Sequence, residues 1–149
     1  MRRITLIPII LLAAVLMGCG LGSVLGLAPP GGEPALMTRV LISKEGGGYK
    51  IQFSLQDSKI EDTSANGGLR ITFEDYSDST QIFYDQARSI KKGDFEKYKT
   101  LLGGEIWAYV FVLPSSQVPA YGSNTFARMR LHFAMDNGNV LDAEDSFFL

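Results

Sequence analysis

The sequence predicts an all-β domain, a two-sheet sandwich of about seven strands with one short helix, behind an export signal and a flexible tether. Apolar and polar residues alternate through most of the chain after Leu36, which is the two-residue period of a half-buried strand. Turn residues recur between these runs. The chain of 149 residues is 46% hydrophobic and 20% charged, a composition typical of one globular domain rather than of a disordered chain.

The first two strands are predicted to form a hairpin. Their inward-facing residues are Leu36, Thr38, Val40 and Ile42, then Tyr49, Ile51, Phe53 and Leu55. The first set is even-numbered and the second odd-numbered, and facing residues share one side of a sheet. The loop therefore holds an even number of residues. A two-residue loop over 45–46 and a four-residue loop over 45–48 both satisfy this condition.

The middle of the chain predicts three more strands. Leu69, Ile71 and Phe73 alternate with polar residues after a turn signal at 66–68. The run 81–90 is less regular but rich in β-forming residues. The run 106–113 is apolar on both faces, which is typical of a central strand covered on both sides.

A short helix is predicted between these last two strands. Asp94 is a suitable N-cap, and Phe95, Tyr98, Leu101 and Leu102 follow at helical spacing. The glycines at 103–104 would end the helix.

The last two strands are predicted to form a hairpin with an odd loop. Their inward residues are Ala127, Met129, Leu131, Phe133 and Met135, then Leu141, Ala143, Phe147 and Leu149. All are odd-numbered, so a three-residue loop over 136–138 fits, with Gly138 in the left-handed conformation. A two-residue turn at 137–138 would instead place Asp142 and Glu144 toward the core, which is costly.

The first residues of the chain carry an export signal. Met1-Arg2-Arg3 precedes an uncharged apolar run over 4–16, the pattern of a secretory signal peptide. The following Leu16-Met17-Gly18-Cys19 resembles the lipobox of bacterial lipoproteins. The resemblance implies cleavage between Gly18 and Cys19, and a diacylglyceryl group on the Cys19 sulfur. Two acyl chains are enough to hold a protein on a membrane.

This interpretation divides the chain into a signal peptide over 1–18, a lipidated N-terminus and tether over 19–34, and a β-sandwich domain over 35–149. The domain would then be anchored to the cell membrane through Cys19 and face outside the cytoplasm. An uncleaved membrane-spanning anchor is the main alternative, because no charge occurs between Arg3 and Glu33. An ordinary cleaved signal peptide and a merely buried Cys19 are the others.

The strand number and spacing resemble those of bacterial immunoglobulin-like or fibronectin-like domains. The resemblance is architectural, and it gives Trp107 a place in the core. A small closed barrel is the alternative fold.

Charge and residue counts exclude several function classes. The net charge is −2, and it becomes −4 without Arg2 and Arg3, so a nucleic-acid partner is not expected. One Cys and one His exclude a disulfide framework and the usual zinc sites. No nucleophile elbow or phosphate-binding loop occurs. We therefore expect no catalytic residues, no metal and no cofactor.

Weaker candidates for a binding site remain. Carboxylates at 61–62 and 74–78 would either bind calcium or, as we favour, form solvated turns. Arg128, Arg130 and His132 share one face of a strand and, with the lysines at 91–92, 97 and 99, form either a basic patch for an anionic partner or, more commonly, a polar outer face.

The long connection 114–125 offers Val118 and Tyr121 as contact residues, or it is a simple crossover between the sheets.

The function predicted from these observations is binding or cell-envelope interaction by a lipid-anchored domain without catalysis. The membrane is the one partner named by the sequence, and the second partner is an unidentified protein or envelope component. The alternative is a barrel or an enzyme with an interior pocket for a small ligand.

Overall fold

The computed structural model describes residues 29, 31–100, 102–121 and 125–149. The signal peptide, Gly18 and Cys19 lie outside the described residues, and so does most of the predicted tether. The strands are β1 (Leu36–Glu45), β2 (Gly48–Gln56), β3 (Asp62–Thr63), β4 (Gly67–Asp75), β5 (Ile82–Ile90), β6 (Phe95–Lys99), β7 (Glu105–Pro114), β8 (Phe126–Met135) and β9 (Val140–Phe148). Single 3₁₀ turns occur at Lys92–Asp94 and Ser115–Gln117.

The strands form two antiparallel sheets packed face to face, which confirms the predicted sandwich. The first sheet has the order β1-β2-β7-β6, with β3 added beside β2, and the second has the order β5-β4-β8-β9. The strands other than the two-residue β3 take the immunoglobulin letters A, B, C, C′, D, E, F and G in chain order. The first sheet then has the order A-B-E-D and the second the order C′-C-F-G, which is an immunoglobulin-like arrangement. The described chain therefore forms an open sandwich rather than a closed barrel.

The core between the sheets is filled with aromatic and aliphatic side chains. Phe53 of β2 and Phe133 of β8 are fully buried, with ring centroids 6.3 Å apart across the two sheets. Tyr49 packs edge-on against Phe73 and Phe147 at 6.1 and 5.5 Å. Removal of this apolar surface from water is the main stabilising contribution to the fold.

The loop of the hairpin β1–β2 has an even number of residues, as predicted, but it begins one residue later than the predicted two-residue loop over 45–46. Glu45 pairs with Gly48, so the loop consists of Gly46 and Gly47. Their φ angles are +56° and +83°, the positive values that a tight two-residue hairpin turn requires.

A bulge in β1 changes which residues face the core. The pairing with β2 shifts between Thr38 and Leu41, and Arg39 adopts a φ of 51°. After the bulge, Ile42 faces the core as predicted. Before the bulge, the odd-numbered Met37 packs on the core and the even-numbered Leu36 is exposed. The prediction for Leu36 was wrong because one inserted residue inverts the alternation.

The segment predicted as a helix forms strand β6 instead. Phe95 pairs with Tyr109 and Lys99 pairs with Glu105, so the segment is the edge of the first sheet. Asp94 does not begin a helix; its carboxylate accepts a hydrogen bond from the Lys91 amide at 2.8 Å and closes a turn. The apolar residues Phe95 and Tyr98 are three positions apart, which is helical spacing rather than strand alternation, and the pairing with β7 overrides this local pattern.

The apolar strand β7 is central in its sheet, as predicted; its outer face is covered at Ala108, which is fully buried, but not near its C-terminal end. Trp107, Tyr109 and Leu113 are buried in the core. On the opposite face, Val112 is 55% exposed. A sandwich has two layers, so each sheet covers only the inner face of the other.

The loop of the hairpin β8–β9 has an odd number of residues, as predicted. Phe133 pairs with Leu141 and Leu131 pairs with Ala143, and Gly138 has a φ of +91°. All five inward residues predicted for β8 are buried.

Among the described residues, no helix has the length and apolar character needed to cross a membrane.

Candidate functional site

The outer face of the second sheet carries charged side chains from all four strands. The register places Arg70, Thr72 and Glu74 of β4 beside His132, Arg130 and Arg128 of β8, in that order. The next strand, β9, places Asp142 beside His132 and Glu144 beside Arg130. We call this set the charged ladder; its members are Arg70, Glu74, Asp85, Arg128, Arg130, His132, Asp142 and Glu144.

At the two lateral edges of the charged ladder, side chains are joined by direct contacts, Arg70 with Asp85 and His132 with Asp142. Arg70 donates two hydrogen bonds to Asp85, from Nε to Oδ1 at 2.8 Å and from Nη2 to Oδ2 at 2.5 Å. The hydrogen bond from Arg70 holds the pKa of the Asp85 carboxyl below its ordinary value, and Asp85 raises the pKa of Arg70. His132 Nδ1 lies 2.7 Å from Asp142 Oδ1. Both pairs restrict side chains that would otherwise sample many rotamers.

Glu74 is the buried centre of the charged ladder. It is 3% exposed, although it points to the outer face of its sheet. Its Oε1 lies 3.0 Å from Arg130 Nη2 and 3.4 Å from Arg128 Nη1. A buried carboxylate needs such partners, because an unpaired charge removed from water is strongly unfavourable. Glu144 approaches both arginines at 4.0 Å from the solvent side.

Three aromatic side chains adjoin the charged ladder at the end of the sheet where β8 begins. Tyr76, Phe126 and Phe148 are 48%, 36% and 67% exposed. The ring of Phe126 lies 4.7 Å from that of Tyr76 and 4.8 Å from that of Phe148. Arg128 lies over Tyr76 at 5.0 Å and joins this group to the ladder. We call these three residues the aromatic patch.

An open groove of about 690 Å³ runs over the charged ladder. Its lining residues are Arg70, Thr72, Glu74, Ile82, Arg130, Leu131, His132, Asp142, Ala143 and Glu144. The exposed face thus combines fixed hydrogen-bonding groups of both charges with exposed aromatic rings. Exposed aromatic clusters of this kind mark interaction sites more often than scattered surface residues do.

The side chains that were predicted to form one basic patch lie on two different sheets. Arg128, Arg130 and His132 share one outer face, as predicted, but carboxylates of β4 and β9 neutralise them. Lys97 and Lys99 belong to β6 in the other sheet, where Lys97 lies 3.7 Å from Glu105. The described surface therefore favours the interpretation as a polar outer face.

The acidic residues Asp75 and Asp78 form turns, the interpretation that the sequence favoured over calcium binding, whereas Asp62 belongs to β3 and Glu74 to β4. Asp75 accepts hydrogen bonds from the hydroxyl and the amide of Ser77 at 2.7 and 2.8 Å. Asp78 does the same with Thr80 at 2.7 and 3.0 Å. These bonds lower the pKa of both carboxyl groups. In the described part of the chain, no group of three metal-ligating side chains occurs.

The two loop residues predicted to contact a partner have different surroundings. Val118 is buried at 8% exposure and belongs to the core. Tyr121 is half-buried, and its ring stacks on Phe83 at 4.4 Å. Desolvation, followed by the charge of Asp75, raises the pKa of the Tyr121 phenol. Binding through this loop stays a prediction, with Tyr121 as its accessible residue.

Sequence reasoning missed the outer face of the second sheet. Its signal is present, since Arg70, Thr72 and Glu74 alternate outward on β4 and Asp142 and Glu144 do so on β9. Which strands lie side by side is decided by contacts between residues far apart in the chain, and alternation alone does not contain that information.

Comparison with known proteins supports the fold. No family model matches the chain, and no curated protein matches it in sequence. The wild-type OgpA of Akkermansia muciniphila is similar in structure, with a TM-score of 0.50 and 15% identity over 78% of this chain. A catalytically inactive OgpA, solved with an O-glycopeptide substrate, gives the same values. The match covers 28% of the first OgpA chain and 29% of the second, so the chain corresponds to less than a third of that enzyme.

A hypothetical protein of Pyrococcus horikoshii matches with a TM-score of 0.41 and 11% identity, over 77% of this chain and 88% of that one.

Proposed function

We propose that this chain is a lipid-anchored extracytoplasmic protein whose β-sandwich binds a component of the cell envelope without catalysing a reaction. The anchoring part rests on the likeness of Leu16-Met17-Gly18-Cys19 to a lipobox, directly after an apolar run with two leading arginines. A diacylglyceryl group on Cys19 would hold the protein on the bilayer without a spanning helix.

The binding part rests on one observation, the joining of the aromatic patch to the charged ladder on one exposed face. Aromatic residues and arginine are enriched at binding sites because they offer large contact areas and directed hydrogen bonds at a modest entropy cost. Binding also needs rigid side chains, and the paired groups of the ladder are held in place before any ligand arrives.

The position of the chain's entry into the domain agrees with this proposal. The Gly31 amide donates to the Asp62 carbonyl at 2.8 Å, and Asn139 Nδ2 donates to Glu33 at 2.7 Å, at the end of the sandwich that holds the β8–β9 turn. The aromatic patch lies at the other end of β8, about 30 Å away at the usual rise per strand residue. A tether from Cys19 would therefore join the end of the domain remote from the aromatic patch.

Mass spectrometry of the mature N-terminus tests the anchor. The protein isolated from membranes should give a first peptide that begins at Cys19 and carries a diacylglyceryl group. Cys19→Ala should remove that species, whereas Met17→Ala, which introduces a residue commoner at this position of a lipobox, should leave processing unchanged. An unmodified Cys19, or a wild-type chain that retains residues 1–18, would contradict the proposal.

Site-directed photocrosslinking in intact cells tests the binding face. A benzoylphenylalanine at position 148 should capture an envelope component, because Phe148 is 67% exposed within the aromatic patch. The matched control is the same probe at Val112, which is 55% exposed on the first sheet. Equal capture from both positions, or capture from position 112 alone, would refute the assignment of the face.

A further inference from the structure

We propose that the outer face of the second sheet binds a neutral saccharide, with the charged ladder supplying hydrogen bonds to hydroxyl groups and the aromatic patch supplying a stacking surface. This inference rests on the proposed binding function and names the class of ligand that the same face would take.

The charge balance of the ladder points to a neutral ligand. Three arginines, Arg70, Arg128 and Arg130, oppose four carboxylates, which are those of Glu74, Asp85, Asp142 and Glu144. Opposite charges alternate within hydrogen-bonding distance rather than separating into patches. Such a face has no extended field of one sign to attract a polyanion or a polycation.

Hydroxyl groups suit this pattern because each one both donates and accepts a hydrogen bond. A hydroxyl between a guanidinium and a carboxylate satisfies both at once. Arg130 and Glu144 leave their side chains 49% and 61% exposed, and they lie 4.0 Å apart between Nε and Oε2. Their remaining donors and acceptors are available to a ligand in the groove.

The ladder is also held rigidly enough for selective binding. Two hydrogen bonds fix the Arg70 guanidinium on Asp85, and the buried Glu74 fixes Arg130 from below. Donors that are already in place cost less conformational entropy when a ligand binds. Flexible polyhydroxyl ligands, which lose entropy themselves, benefit most from a site that is ordered in advance.

The aromatic patch supplies the apolar half of the site. Sugar rings have faces made of C–H groups, and such faces pack on exposed aromatic rings. Phe148 lies four residues beyond Glu144 on the same side of β9, about 13 Å along the strand. The distance leaves room for more than one sugar ring along the open groove.

A protein is the other class of partner for this face, and the charged lining of the groove disfavours it. The centres of protein interfaces are depleted in charged residues, because a flat apolar partner leaves such groups without hydrogen bonds. Here the groove is lined by charged residues from three strands, and the aromatic patch lies beyond this lining, next to Arg128. The ligand must therefore be able to hydrogen-bond along most of its length.

A glycan array provides the test. The full-length protein, in a detergent without a sugar headgroup, is applied to printed glucans, mannans and chitin oligosaccharides, with sulfated glycans and acidic peptides on the same slide. We expect binding to neutral glycans that does not change between low and high salt, because no ion pair forms with the ligand.

Variants then locate the site. Phe148→Ala and Arg130→Ala should each weaken binding about tenfold or more, as expected for residues that contact the ligand directly. Val112→Ala, on the other sheet, should leave it unchanged. Phe148 is exposed, so Phe148→Ala should fold, whereas Arg130 also pairs with the buried Glu74 and its removal should lower stability. Thermal unfolding of both variants is measured alongside, and Phe148→Ala alone locates the site if Arg130→Ala is unfolded.

Three results would overturn the inference: binding to sulfated glycans or peptides only, no binding to any printed glycan, or neutral-glycan binding that both variants retain. If the position-148 photocrosslink nevertheless captures a protein, the binding function stands and the saccharide assignment is wrong. If the array and the crosslink both fail, the proposed binding face is wrong as well.

Discussion

Asp57 shows how a single carboxylate joins two distant segments. Its Oδ2 accepts from the Gly32 amide at 2.9 Å, and its Oδ1 accepts from the amides of Lys59 and Glu61 at 2.8 and 3.0 Å. These backbone hydrogen bonds, with Gly32 the strongest contributor, hold the pKa of Asp57 below the ordinary value of about 3.9. The N-terminal segment is thereby attached to the loop after β2.

We expect Asp57→Asn to destabilise the domain at neutral pH and to have less effect in acid. A carboxyl whose pKa is lowered by folding stabilises the fold above its unfolded pKa, and the contribution is lost as the pH falls through the folded value. The free energies of unfolding of the wild type and the variant should therefore stay apart above the unfolded pKa of about 3.9 and converge only as the pH falls below it. Urea titrations at several pH values measure this difference. A gap that widens in acid would contradict the account.

At the scale of strands, the two glycines that begin β4 have different surroundings. A Cβ added to Gly67 would meet the carbonyl oxygen of Ala134 and the Cα of Met135 on β8, and both are backbone atoms that do not move freely. A Cβ added to Gly68 would meet nothing within 4 Å. Gly67 thus permits the close approach of β4 and β8.

Gly67→Ala should destabilise the protein by about 1–3 kcal/mol, the usual cost of overpacking. Gly68→Ala is the matched control, and it should change stability by no more than about 0.5 kcal/mol. Chemical denaturation of both variants gives the comparison. Equal effects would show that the separation of β4 and β8 does not depend on the missing side chain.

The strands whose pattern was regular were predictable, and the exceptions have local causes. β8 alternates without interruption, and every inward residue predicted for it is buried. β1 departs from its alternation because of one bulge at Arg39, whose Nη1 lies 2.6 Å from Asp62 Oδ1. The segment 95–99 has helical spacing of its apolar residues, so only its pairing with β7, which the local pattern does not contain, makes it a strand.

The charged ladder was not predictable from the sequence, although each of its strands was. Arg130 and Glu74 are more than fifty positions apart in the chain, and their contact depends on β4 lying beside β8. Parity shows which residues point outward, but many strand orders are compatible with the same parity. The lipobox, by contrast, is a local pattern at 16–19, which a sequence displays in full.

Over the whole molecule, the two sheets approach each other closely along β1 and β9. Asp145 lies on the inward side of β9, opposite Met129, and its Oδ2 accepts from the Ile42 amide of β1 at 3.0 Å. A half-buried carboxylate on an edge strand satisfies the backbone of the opposing sheet and discourages pairing with other chains.

Asp145→Ala should cost about 1–3 kcal/mol, because it leaves the Ile42 amide without its acceptor. Asp142→Ala is the control on the same strand, with a side chain that is 71% exposed, and its effect should stay within about 0.5 kcal/mol. Thermal unfolding followed by circular dichroism measures both. A larger loss in the control would show that the contact between β1 and β9 is not what joins the sheets at this edge.

The hydrogen bonds that secure the entry of the chain also determine how the domain resists mechanical force. Tension applied at Gly31 and at Phe148 pulls on opposite ends of the sandwich, along the strands. The bonds between β1 and β2 run across that direction, so they carry the load together in shear rather than opening one after another. A domain tethered at its first residues and held at its far end would therefore unfold only under forces high enough to break many bonds at once.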